Sequence, residues 1–366
     1  MPRERTRSSF FKLHDYETHA KQNLSKMVFD FVAGGACDEV TLRKNREAFD
    51  QIRLNPRILA GQKDISTRTQ ILGQEIAFPA IISPIAFHGL VHKQGELATA
   101  RAAQTAATIF VSSIASNYPV EEITAQAPER VWFQINFYKD QELTKKFVKR
   151  AETSGCKALV VTVDSATTGR RERDLANSFH LPKSLEMANF KKVGVKRELK
   201  PKRGGSALVD FRKEFVKPGP SWRDFEWLRG QTKLPVIVKG IMRPDDAIQA
   251  VRLGANAVWI SNHGGRQLDT TAPSITVLPK IAEALGGQAE IIFDSGVRRG
   301  TDIVKAIALG ATCVGIGRPI IWGLAESGER GAARVLQILK DELENAMAIL
   351  GCDSVGGISR DFVDCD

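Results

Sequence analysis

Eight short apolar runs recur along the chain, at 79–83, 108–112, 131–135, 158–163, 235–238, 257–260, 290–293 and 313–316. They are rich in Val, Ile and Phe and show little polar alternation, the pattern of a strand buried on both faces. Most gaps between them carry apolar residues at helical spacing, as at 95–107, 141–153, 244–253 and 300–309. In the last of these Ile303, Ala306, Ile307 and Leu309 share one face. Strands alternating with helices form right-handed βαβ units on a parallel sheet. Eight such units in succession predict a single (β/α)8 TIM barrel occupying the whole chain as one domain.

Three stretches fall outside the repeat. An insertion of about 165–234 follows the fourth run, and insertions of that size on a barrel's top face shape or cover the active site. Residues 1 to about 60 form an N-terminal helical extension, clearest at 23–33. A final helix is expected at 331–350, where Val335, Leu336, Leu339, Leu343 and Met347 recur on one side.

Charge changes this picture only locally. The formal net charge is +10, and residues 191–217 hold ten Lys/Arg against three Asp/Glu. That segment reads as an exposed, mobile, solvated loop rather than a nucleic-acid surface, because aromatic residues are few within it. No apolar run is long enough to span a bilayer, and the first residues lack the apolar core of a signal peptide. Cys37, Cys156, Cys313, Cys352 and Cys365 form no close pair and no metal spacing, which suits a reducing cytoplasm. No metal site is expected.

In a barrel of this kind chemistry gathers where the strands end. Here those ends carry Ser83-Pro84-Ile85-Ala86, Ser112-Ser113, Gln134 to Asn136, Thr162-Val163-Asp164, Lys239-Gly240, Ser261-Asn262-His263, Asp294 to Arg298, and Gly315 to Arg318. Backbone N–H groups at Gly296 and Gly317 can surround a phosphate that Arg298 and Arg318 neutralise. Lys239 ends an apolar strand and needs an anionic partner, which a flavin ring gaining charge on reduction would supply. His263 with Asp164 makes the best proton-transfer pair, the carboxylate fixing the imidazole tautomer. Arg171 and Arg266 beside that base suit a substrate carboxylate. His88 and His92 lie four apart without further ligands and read as structural.

The run Ser261-Asn262-His263-Gly264-Gly265-Arg266-Gln267-Leu268-Asp269 resembles that of the FMN-dependent α-hydroxy-acid oxidase and dehydrogenase family, which includes glycolate oxidase, lactate oxidase and mandelate dehydrogenase. Thr162-Val163-Asp164, Gly169-Arg170-Arg171, Val238-Lys239-Gly240, Asp294 to Gly300 and Gly317-Arg318-Pro319 support the likeness, which runs from about residue 29 to 356. The resemblance implies FMN held by Pro84, Ile85, Ala86, Ser112, Gln134, Thr162, Lys239, Ser261, Asp294, Gly296, Arg298, Gly317 and Arg318. It makes His263 the base, Asp164 its partner, and Arg171 and Arg266 the carboxylate clamp. It also implies a homo-oligomer, a tetramer or larger.

Two positions depart from the family pattern. Phe31 and Asn136 stand where many members carry tyrosines facing the substrate. Losing the second phenol removes a donor from the transition state, worth on the order of ten- to a thousandfold in rate, unless the site is tuned to another substrate. Phe29-Asp30-Phe31, Leu181-Pro182 and Met187 to Phe190 resemble the 4-hydroxymandelate oxidase branch. The expectation is therefore oxidation of an aryl or larger aliphatic 2-hydroxy acid to the 2-oxo acid, with oxygen accepting the electrons and forming hydrogen peroxide. The alternatives are a dehydrogenase passing electrons to a quinone or carrier, and an oxidase of an amine or peptide-derived substrate.

Overall fold

The computed structural model describes residues 10–196, 198–200 and 203–365. Its centre is a closed barrel of eight parallel strands. They are β1 (Ala80–Ile82), β2 (Phe110–Ser113), β3 (Val131–Ile135), β4 (Leu159–Thr162), β5 (Val236–Ile241), β6 (Ala257–Ile260), β7 (Glu290–Phe293) and β8 (Cys313–Ile316). Their order around the barrel is their order in the chain, as right-handed βα connections require. Helices such as Gln141–Thr153 and Gly300–Ala308 turn their apolar faces inward onto the sheet. Among the described residues no helix is long and apolar enough to cross a membrane.

The N-terminal extension, expected to be helical and clearest at 23–33, contains three helices among the described residues. It forms α1 (Leu13–Asn23), α2 (Lys26–Ala33) and α3 (Val40–Asp50). Leu24 and Ser25 are extended and break the chain between α1 and α2, and the Ser25 side chain accepts from the Val28 N–H to start α2. A hydroxyl that satisfies an otherwise orphaned donor marks a helix start more strongly than apolar spacing alone.

The basic insertion corrects an expectation. Residues 191–217 are not simply an exposed loop: the insertion contains α4 (Ala188–Lys192) and α5 (Ala207–Phe215). Phe190 and Phe211 are buried and meet edge to face at 4.9 Å. Lys139 donates its N–H to the Phe215 carbonyl, and Lys217 donates to that of Phe137, stitching the segment beside the end of β3. Lys191, Lys192, Lys196, Lys200 and Lys213 face solvent while Leu199, Ala207, Phe211 and Val216 turn inward. Counting charge hid that face.

Candidate active site

One ring of side chains fills the barrel interior, with one residue from each strand: Ile81, Val111, Trp132, Val160, Ile237, Trp259, Ile292 and Cys313. Strand side chains alternate, so the same inward face reappears two residues later. Those eight positions are Ser83, Ser113, Gln134, Thr162, Lys239, Ser261, Asp294 and Gly315. The apolar plug therefore gives way, in one step, to a polar floor. Seven of the eight line the main cavity, with Ser261 tucked beneath Lys239. The alternation also separates two neighbouring serines. Ser112 shares the outward face of Phe110 and does not line the cavity, whereas Ser113 does.

The floor is wired together. Lys239 Nζ lies 3.2 Å from Asp294 Oδ2 and donates to Ser261 Oγ at 2.9 Å. Its anionic partner within the protein is therefore Asp294, and it stands 5.3 Å from the Trp259 ring centre. Gln134 donates to Thr162 Oγ1 at 3.0 Å and accepts from Ser113 Oγ at 3.2 Å. Asn136 donates to Ser165 Oγ at 3.1 Å.

Above the floor His263 occupies the left-handed region, φ 59°, an uncommon backbone state for a residue other than glycine. Its N–H donates to Ser261 Oγ, which holds the loop in that conformation. Its Nδ1 lies 3.0 Å from Asp164 Oδ1, and the ring is partly exposed to the cavity. Burial lowers the imidazole's pKa, and the cations Lys239 and Arg171 lower it further, while Asp164 opposes them. Burial raises Asp164, but His263, Lys239 and Arg212 more than offset this and hold it below the usual carboxylate range. The result is a neutral imidazole backed by a carboxylate, the state a proton acceptor needs.

Arg171 and Arg266 line the same cavity. Arg266 donates to the Gly34 carbonyl at 2.6 Å, while Arg171 donates to the Arg266 carbonyl at 3.5 Å and lies 3.9 Å from Asp174. Burial pushes Arg171 down to about 9, with Arg266 next in effect, and burial with Arg318 pushes Arg266 to about 10. Both remain charged at neutral pH and are short of anionic partners. Phe31 stacks on Phe179 at 4.1 Å, and the Arg266 guanidinium lies 5.5 Å from its ring centre.

A second cationic group stands by Gly296 and Gly317, where helix Arg318–Ser327 begins. Burial lowers Arg298 and pushes Arg318 to about 9, with Arg298 the next cause for Arg318. Among the described residues neither has a carboxylate within ion-pair range; Arg318 donates to the carbonyls of Val32, Gly34 and Gly264. Two guanidiniums at a helix start, with backbone N–H groups nearby, fit a phosphate dianion. Pro84, Ile85 and Ala86 complete the rim on the β1 side.

Three features escaped sequence reasoning. Gln267 ties three loops together, accepting from the Gly169 N–H and donating to the carbonyls of Asp164 and Thr167. Asp269 accepts from the N–H groups of Val40 and Thr41, capping α3 from across the fold. The insertion lends the cavity Met187, Phe190, Leu208, Phe211, Arg212 and Val216. The spacing of Leu208, Arg212 and Val216 was the available signal, masked by surrounding charge. His88, read as structural, is buried with Nδ1 2.9 Å from Thr99 Oγ1, and burial drives it down to about 3.

Comparison with known proteins gives one consistent result. Residues 20–365 match the family described as FMN-dependent dehydrogenase. The chain is 44% identical to an L-lactate oxidase of Nostoc sp. over 361 residues, covering 97% of this chain and 98% of the relative. It is 44% identical to 2-hydroxyacid oxidase 1 of Mus musculus, over 96% of this chain and 95% of the relative. A solved structure of a mandelate oxidase with (S)-4-hydroxymandelic acid superposes with a TM-score of 0.93 at 39% identity, covering 97% of this chain and 98% of that one.

Proposed function

The chain belongs to the FMN-dependent dehydrogenase family, and on that premise we propose that it oxidises a 2-hydroxy acid to the 2-oxo acid as an FMN-dependent oxidase. The carrying observation is the His263–Asp164 pair facing the same cavity as Arg171 and Arg266. The similarity to lactate, 2-hydroxyacid and mandelate oxidases supports the reaction class.

FMN, when bound, accepts the two electrons of the oxidation and passes them to oxygen, giving hydrogen peroxide. The residues that would hold its phosphate are Arg298 and Arg318 with the backbone at Gly296 and Gly317. Its ring would meet Pro84, Ile85, Ala86, Gln134, Thr162 and the Lys239–Ser261–Asp294 group, with the strand end at Ser112 beside it. The donor set fits: a lysine on a buried floor, two unpaired guanidiniums, and an apolar rim.

Arg171 and Arg266 hold the substrate carboxylate and so fix C2 over the base. Nε2 of His263 takes the hydroxyl proton or the C2 proton, and Asp164 stabilises the imidazolium that results. Phe31 and the apolar side chains of the insertion exclude water above the reacting carbon. The apolar wall of Met187, Phe190, Leu208 and Phe211 favours a side chain larger than that of glycolate.

The test is anaerobic. The purified flavoprotein is mixed with mandelate, 4-hydroxymandelate, lactate and glycolate while flavin absorbance is followed. Bleaching by one acid, then peroxide on admitting air, is the expected result. A flavin left oxidised by all four overturns the assignment, and bleaching without peroxide points to a quinone or carrier acceptor. We also propose a cytoplasmic homo-oligomer built from one barrel domain, supported by five free cysteines and by the family likeness, and checked by light scattering.

A further inference from the structure

Five arginines line the cavity: Arg171, Arg212, Arg266, Arg298 and Arg318. The reading above uses four of them, two for a phosphate and two for one carboxylate. Arg212 is left over. It projects from α5 of the insertion, with Leu208 one turn before it and Val216 one turn after it on the same cavity wall.

Its only hydrogen bond among the described residues is from one guanidinium nitrogen to the Ser165 carbonyl, at 2.9 Å. No carboxylate lies within ion-pair range of it among those residues. Asp164 acts on it at longer range, but that carboxylate is already bonded to His263. Arg171 feels it as a like charge. A guanidinium placed in an apolar wall, near another cation and with one backbone partner, leaves most of its five donors for a ligand.

The position is as informative as the charge. Ser165, whose carbonyl Arg212 holds, also accepts from Asn136, the residue standing where the family pattern has tyrosine. Arg212 thus lines the cavity together with Met187, Phe190, Leu208 and Phe211, and its guanidinium is anchored on the loop that follows β4. An acid whose first carboxylate is held by Arg171 and Arg266 would send its side chain along that wall. The wall is apolar along its length and cationic at Arg212.

Resting on the 2-hydroxy-acid reading, we propose that Arg212 is a specificity-determining residue that binds a second carboxylate at the far end of the substrate's side chain. The preferred substrates are then 2-hydroxydicarboxylic acids. Arg212 touches the distal group and takes no part in moving the proton or the electrons.

Anaerobic stopped-flow reduction of the FMN-loaded enzyme tests this with matched pairs: 2-hydroxyglutarate against 2-hydroxypentanoate, and malate against 2-hydroxybutanoate. The wild-type chain should show a dissociation constant roughly tenfold to a hundredfold lower for each diacid, the range of a charge-assisted hydrogen-bonded pair. Arg212→Leu should bring each ratio to within about threefold, and Arg212→Lys should restore part of it. Arg212→Gln serves if the leucine variant does not take up flavin. Reduction by the monoacids with no preference for the diacids, or a preference that survives both substitutions, overturns the role of Arg212 and leaves the hydroxy-acid reading standing. A flavin that stays oxidised in the presence of all four acids overturns that reading and this proposal together.

Discussion

Asp164 and His263 follow β4 and β6, and they meet across the end of β5 because Gly240 has no side chain. A Cβ on Gly240 would lie 2.6 Å from that of Asp164. Its φ of 111° and the register shift between Lys239 and Ile241 mark a bulge there. The bulge leaves Lys239 facing the floor and clears a path for the carboxylate. The proposed proton-accepting pair thus depends on an absence in the strand between its partners.

Gly240→Ala should therefore damage both stability and chemistry. The methyl group meets Asp164, and its backbone state is one that L side chains rarely adopt. The expected loss is about 1–3 kcal/mol in urea unfolding, with slower flavin reduction. An alanine variant with unchanged midpoint and rate would remove Gly240 from the account.

His263→Ala should keep FMN bound, since most of the flavin contacts proposed above come from other strands. Reduction by substrate should fall by roughly a hundred- to ten-thousandfold. Asp164→Asn should slow reduction less, about tenfold to a thousandfold, because the imidazole remains but loses its orienting charge. Rapid-mixing absorbance reads both, and wild-type rates in the histidine variant would refute the assigned base.

The pH profile carries its own sign. The pKa of His263 lies below the usual imidazole value, burial being the main cause. Its neutral form is the base, so the reduction rate should be level near pH 7–8 and fall only on acidification below about 6.5. Asp164→Asn removes the influence that raises this pKa, so the acid limb should move lower still. A limb centred above neutrality would contradict the proposed electrostatics.

Glu96 gives a stability prediction away from the chemistry. Buried completely, it accepts from the His88 and Asn117 N–H groups at one oxygen while the other has no partner. Burial raises it from 4.5 to about 7. Below the lower value both folded and unfolded states hold the proton and nothing is lost. As pH climbs from about 4.5 to about 7, the unfolded state ionises first and stability falls, on the order of 3 kcal/mol in all. Glu96→Gln cannot ionise, so its stability relative to wild type should rise between pH 4 and pH 8. An unchanged difference across that range would sink the idea.

Much of the site was legible because barrel chemistry follows strand order. Buried parallel strands read as unbroken apolar runs, and the runs at 131–135, 257–260, 290–293 and 313–316 coincide with β3, β6, β7 and β8. The polar residues after them must then share one rim, which is how His263 could be paired with Asp164 before any geometry was known. Which serine of the second run faces the cavity was not legible, for a local reason. Two adjacent serines end that run, and only the phase of the strand decides which one faces inward.

The sequence by itself determined the eight βα units, the family motif at 261–269, and the residue types available for base, clamp and phosphate. These are local or periodic properties, carried by neighbouring positions along the chain. The tertiary structure alone decided that Asp269 caps α3, that Gln267 ties the loops, and that Gly240 opens the route from Asp164 to His263. It also turned Arg212 out of a charged surface segment and into the cavity. Those relationships join positions tens to hundreds of residues apart, and their energies come from desolvation and close approach, which exist only once the chain has closed on itself.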